Sequence, residues 1–82
     1  MSEIEITYVR DIPDADVADY ERFEAATSEA VSNACPEVAV KVEAGDVPAI
    51  AADGVALAPG DPTYERVGHI LVAVAQSWHA TL

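Results

Sequence analysis

Cys35, His69 and His79 are the side chains in this sequence that could ligate a soft or borderline metal, with carboxylates available to complete a site. Metal centres need three or four converging ligands, and neither C-x-x-C nor H-x-x-x-H spacing occurs. His69 and His79 are ten residues apart, roughly 15 Å along a helix, so one ion cannot join them within a subunit. No metal and no cofactor is therefore expected. Cys35 reads as a small buried hydrophobe, His69 as a surface or interface residue, and His79 as a cation near a helix C-terminus. Paired carboxylates suited to general acid-base work occur at Asp16, Asp19 and Glu21, but a catalytic acid also needs a desolvated pocket, which the sequence does not locate. Gly54, Gly60 and Gly68 lack phosphate-loop spacing, and no nucleophile elbow occurs. No catalytic residue is assigned. The remaining polar constellation is Tyr8, Arg10, Tyr64 and His69, a candidate ligand pocket between subunits.

These residues must be held by six elements. Glu3 to Arg10 alternates Ile4, Ile6 and Tyr8 against Glu3, Glu5 and Thr7, which predicts a half-buried strand. Asp11-Ile12-Pro13-Asp14 stops it, and a helix is expected from Pro13 or Asp14 to Asn33 or Ala34. Its apolar stripe is Val17, Tyr20, Phe23, Thr27, Ala30, Val31 and Ala34, with Asp16, Asp19, Glu21, Arg22 and Glu29 mostly outside. Cys35-Pro36 ends it. Val38, Val40 and Val42 predict a second strand, in which Lys41 and Glu43 could align with Glu3 and Glu5 as cross-strand ion pairs. Pro48 to Ala52 and Val55 to Ala58 flank Asp53-Gly54, a two-residue hairpin signal. Asp61-Pro62 caps and opens the last helix, which should reach Ala80. The order β-α-β-β-β-α predicts an α+β fold: a small, mainly antiparallel sheet with two helices packed on one face, in a single domain over 1–82.

Val47-Pro48-Ala49-Ile50, followed by Asp53-Gly54 and Gly60, resembles the proline-to-glycine segment of small thioredoxin-like proteins, over about a third of the chain. No cysteine follows the first strand, and the helix such a fold places before the proline is absent between Val42 and Val47. The resemblance implies a non-redox relative used for binding, with Pro48 cis.

Charge bounds the partners. Fifteen acidic residues stand against Arg10, Arg22, Lys41 and Arg66, a formal charge of -11 over 82 residues, while 51% of the residues are apolar. That combination suggests a halophile's protein, which collapses because concentrated salt screens its self-repulsion. Four scattered basic residues make no positive patch, so nucleic acid is not an expected partner. No basic segment followed by an apolar run opens the chain, and no run is apolar enough to span a bilayer, so a cytoplasmic protein without membrane contact is expected. With a modest core and no intrachain disulfide, further stability should come from assembly.

The acids are unevenly placed. Beyond Asp61 only Glu65 is acidic, and Gly68 to Ala80 carries no formal charge when its histidines are neutral. On a helical wheel Tyr64, Val67, Ile70, Leu71, Val74, Trp78 and Leu82 form the core stripe. Glu65, His69, Val72, Ala73, Gln76 and Ala80 lie opposite, a side unusually apolar for so acidic a chain. The expected interface is therefore His69, Val72, Ala73 and Gln76, anchored by Trp78. A non-catalytic homodimer, or a subunit or adaptor bound to another protein, follows, with the last helix or an edge strand at its centre.

Overall fold

The computed structural model describes residues 2–81. Its elements are β1 (Glu3–Tyr8), α1 (Val17–Ala34), β2 (Ala39–Ala44), β3 (Ala49–Ala52), β4 (Val55–Ala56) and α2 (Pro62–His79), in the expected order. They form an α+β fold with a four-stranded sheet ordered β2-β1-β3-β4. The sheet is mixed: β1 pairs with β3, and β3 with β4, antiparallel, whereas β1 pairs with β2 in parallel, Ile4 opposite Val40 and Ile6 opposite Val42. The parallel pair qualifies the expectation of a mainly antiparallel sheet. Its cause is α1, an 18-residue helix between β1 and β2 that returns the chain to the end where it began.

The β2-to-β3 connection passes the end of β1 without a helix. Because β2 and β3 run in opposite directions, it need span only two strand spacings, about 10 Å, within the roughly 13 Å reach of four residues. Gly45 makes this passage possible: its N–H donates to the Tyr8 carbonyl at 2.9 Å, and a Cβ there would lie 2.5 Å from Thr7 Cγ2. No described peptide bond is cis. Pro48 is therefore trans, and the cis proline implied by the thioredoxin-like resemblance is absent.

Boundaries differ where side chains capture backbone groups. Pro13-Asp14 forms a turn, and α1 begins at Val17 because Asp16 and Asp19 form a reciprocal capping box. Val17, expected in the buried stripe, is consequently in the first helical turn and 61% exposed. The Asp53-Gly54 hairpin matches its signal. Both residues have positive φ, 50° and 82°, as a primed turn requires. Asp53 Oδ1 also accepts from the Ser2 N–H, the Ser2 hydroxyl and the Glu3 N–H, each at 2.9 Å, tying the hairpin tip to the start of β1.

Ile4, Ile6 and Ile50 share one buried cluster with Val31 of α1 and Val67 of α2. Tyr8, Tyr20, Phe23 and Trp78 form a second. The two clusters meet at Val42 and Leu71, which pack against both. Glu3, Glu5, Lys41 and Glu43 occupy the alternate positions on β1 and β2, away from these clusters.

Candidate interaction surface

Asp61 starts α2 by accepting the Thr63 N–H at 2.8 Å, with Pro62 in the first turn. The expected core stripe turns inward: Val67 and Trp78 are buried, and Tyr64, Ile70, Leu71 and Val74 are half-buried. Leu82 lies outside the described residues. Trp78 packs against Phe23 and Tyr20 with ring centroids 5.1 and 5.7 Å away, and its indole N–H donates to the Asp19 carbonyl at 2.9 Å. Both faces of its chemistry, the apolar rings and the polar N–H, are thus used within the chain. Of the expected interface residues, Trp78 anchors α2 to α1, while His69, Val72, Ala73 and Gln76 are exposed together on the outer side, Val72 at 58%.

Two depressions border that side. Ala73 and Val74 line a groove of about 380 Å³ between the helices, with Ala26 and Trp78 beside them and Arg22 at the rim. Arg22 is held there by Asp19 at 3.1 Å. Tyr64, Glu65, Gly68, His69 and Val72 line a second hollow of about 360 Å³. Gly68 has no heavy atom within 4 Å of the place a Cβ would occupy, so this part of α2 is open.

Within one chain the four residues of the alternative intersubunit pocket lie in two places. Tyr64 and His69 share the second hollow, whereas Tyr8 and Arg10 belong to a polar knot at the far end of β1. There the Tyr8 hydroxyl donates to Glu24, and Arg10 donates to the Tyr8 oxygen at 3.2 Å and to Glu24 at 2.9 Å. The guanidinium also lies 5.2 Å from the Tyr20 ring centroid. Burial, and then the bond to Glu24, raise the Tyr8 pKa, while the bonds to Tyr8 and Glu24 raise that of Arg10. This knot joins β1 to α1 and leaves Arg10 well provided with internal partners. No local spacing points to Glu24, its third member, because it lies on α1 sixteen positions after the strand residue Tyr8 and fourteen after Arg10.

The carboxylate group has a structural use as well. Asp16 Oδ1 accepts the Asp19 N–H at 2.9 Å, and Asp19 Oδ2 accepts the Asp16 N–H at 3.0 Å. On β1, Glu3 has a raised pKa, chiefly through its hydrogen bond with Glu5, then desolvation and the Glu5 charge. Lys41 sits opposite Glu5 in register, but its ion pair is with Glu43 at 3.7 Å, both side chains half exposed or more. Cys35 is half-buried beside Pro62, Thr63 and Arg66, and His79 is exposed at the end of α2. Among the described residues, no group of three or more His, Cys, Asp and Glu could hold a metal ion. None of their helices is long and apolar enough to cross a membrane. No family model, curated protein or solved structure matches the chain significantly, so its own residues carry the functional argument.

Proposed function

We propose that this chain is a small non-catalytic assembly protein, acting as a homo-oligomer or as a subunit or adaptor of a larger complex, with the outer side of α2 as a contact surface. The observation that carries this reading is the charge gap. In a chain of net charge -11, His69, Val72, Ala73 and Gln76 make an exposed patch that carries no formal charge when His69 is neutral, with Glu65 as the acid at its N-terminal end, between two depressions lined mostly by apolar surface. Two strongly acidic surfaces repel wherever acids face each other, so association is least opposed where they are missing. Trp78 contributes indirectly, by fixing α2 against α1 and so fixing the exposed side.

The ligand-pocket alternative retains the hollow at Tyr64 and His69. Arg10 is engaged by Tyr8, Glu24 and the Tyr20 ring, which favours the assembly reading.

Light scattering in concentrated potassium chloride tests the proposal. The expected particle is heavier than one chain, and Val72→Glu with Ala73→Glu, both at exposed positions, should lower the assembled mass while leaving the circular dichroism spectrum unchanged. A strictly monomeric wild type at working concentration would remove self-association. An unchanged mass in the double variant would remove α2 as its site.

A further inference from the structure

Among the described residues the sheet ends at β2 on one side and at β4 on the other, and of these two edges β2, with six residues against two, is the one long enough to pair. The direction of its free backbone groups follows from two bonds. The Ala39 N–H donates to the Ser2 carbonyl at 3.0 Å, and the Gly45 N–H to the Tyr8 carbonyl at 2.9 Å. Backbone groups alternate sides along a strand, so residues 39, 41, 43 and 45 point theirs at β1, and Val40, Val42 and Ala44 point theirs outward. An extended partner joining this edge would bond to those three residues.

We propose that this partner is a second copy of the chain, with β2 pairing antiparallel to the partner's β2 about a two-fold axis at Val42. Charge complementarity in a fixed register favours this arrangement. Centring on Val42 sets Val42 opposite the partner's Val42 and Val40 opposite the partner's Ala44, so all outward-pointing residues meet one another. It also sets Lys41 opposite the partner's Glu43, and Glu43 opposite the partner's Lys41, on the exposed face of the sheet. The adjacent symmetric registers fail. Centring on Lys41 opposes two lysines, and centring on Glu43 opposes two glutamates, each unfavourable for side chains directly across a pair. The chain's one lysine thus stands on its one long edge, two residues from the glutamate that makes the edge self-complementary. On the other face, half-buried Val42 gains an apolar neighbour in the partner's Val42.

This contact rests on the assembly reading but not on α2. It therefore extends the sheet through the dimer and leaves both α2 surfaces free for another subunit. The competing role for an edge lysine is to keep other strands away. The two roles predict opposite effects of removing it.

Sedimentation equilibrium of the full chain in concentrated potassium chloride, on wild type and on the Val72→Glu/Ala73→Glu background, tests the register. A dimer is expected to persist on that background. There Lys41→Glu and Glu43→Lys should each weaken it roughly ten-fold or more, because every variant dimer gains two like-charge oppositions. Combining the two substitutions should restore it, and mixing the two single variants should give a heterodimer. Glu43→Lys introduces no charge beside Glu5 and carries the test if Lys41→Glu fails to fold. The register is overturned by tighter association of Lys41→Ala, by a dimer constant that neither charge variant moves, or by absence of the heterodimer on mixing. A wild-type assembly that becomes monomeric on the α2 background would overturn the β2 contact while upholding α2. A dimer lost only with the β2 charges would do the reverse.

Discussion

Thr27 is fully buried in α1, and its hydroxyl has no hydrogen-bond partner among the described residues. Its helical spacing placed it in the core stripe with Tyr20, Phe23 and Val31, and burial follows from that spacing. What the sequence could not reveal is that the hydroxyl goes unmatched, since that depends on what α1 meets across the interior. A buried hydroxyl without a partner loses its hydration and gains nothing in exchange. Valine has nearly the same shape with a methyl in that place. Thr27→Val is expected to stabilise the fold by about 1 kcal/mol, within the ~1–3 kcal/mol cost of an unsatisfied buried group. The check is a urea unfolding midpoint that rises with an unchanged slope. A fall would mean that the hydroxyl does form a bond in solution. The same limit on local reading explains Trp78 and Glu24. A tryptophan in the charge-free later part of a helix looks like an interface anchor until the Asp19 carbonyl is seen to supply its acceptor, and Glu24 finds Tyr8 and Arg10 only once α1 lies on β1.

Asp53 links one element to another, so its ionisation bears on the sheet. Its carboxylate is held below the usual range, first by the Ser2 N–H, then by the Ser2 hydroxyl and the Glu3 N–H. A depressed folded-state pKa contributes stability that is present above the unfolded value of 3.8 and lost as pH falls through the lower folded value. Glu3 behaves oppositely. Its raised pKa means that the folded chain binds the proton more tightly, so stability rises as pH falls from neutrality toward the unfolded value of 4.5. Thermal unfolding across pH should therefore show the midpoint climbing on mild acidification and dropping below about 3.8. Glu3→Gln should flatten the first limb and Asp53→Asn the second. A wild-type midpoint that falls steadily from neutrality would contradict the assignment to Glu3. At this scale the sequence was most legible where signals are local. The Asp53-Gly54 turn, the Asp61-Pro62 helix start and the alternation of β1 each describe neighbouring residues, and each element appeared in its place. The parallel β1–β2 pairing was not legible, because alternation fixes which residues face inward but not the direction of the neighbouring strand. The start of α1 slipped because Pro13 and Asp16 both signal a helix start, and the reciprocal cap with Asp19 decides between them. On α2 the wheel separated the inward from the exposed residues, while which residues a second chain would bring beside Arg10 or His69 is not contained in the spacing of one chain.

Over the whole molecule, a charge of -11 is spread through a body whose principal extents are 35, 25 and 19 Å. At about 0.1 M salt the screening length is roughly 10 Å, so acids on neighbouring elements repel one another, whereas at about 1 M it is roughly 3 Å and only charges in contact interact. Few internal cations relieve this repulsion: Arg10, Arg22 and Lys41 are paired with Glu24, Asp19 and Glu43. The melting temperature should therefore rise as potassium chloride is increased from about 0.1 M to about 2 M, most steeply in the lower part of the range where the screening length changes most. Equal osmolality of sucrose separates screening from general exclusion, and should reproduce little of that rise at low concentration. The proposed dimer sharpens the expectation, because two chains of -11 repel over long distances while Lys41 pairs with the partner's Glu43 would act at contact. Added salt removes the long-range term first. Dimer affinity should consequently increase over the same range, even as the charge variants at 41 and 43 come to differ less from wild type. A melting temperature flat or falling with potassium chloride would refute the halophilic reading, and a dimer that weakens steadily with salt would mean that its charge pairs outweigh the repulsion between the two acidic bodies.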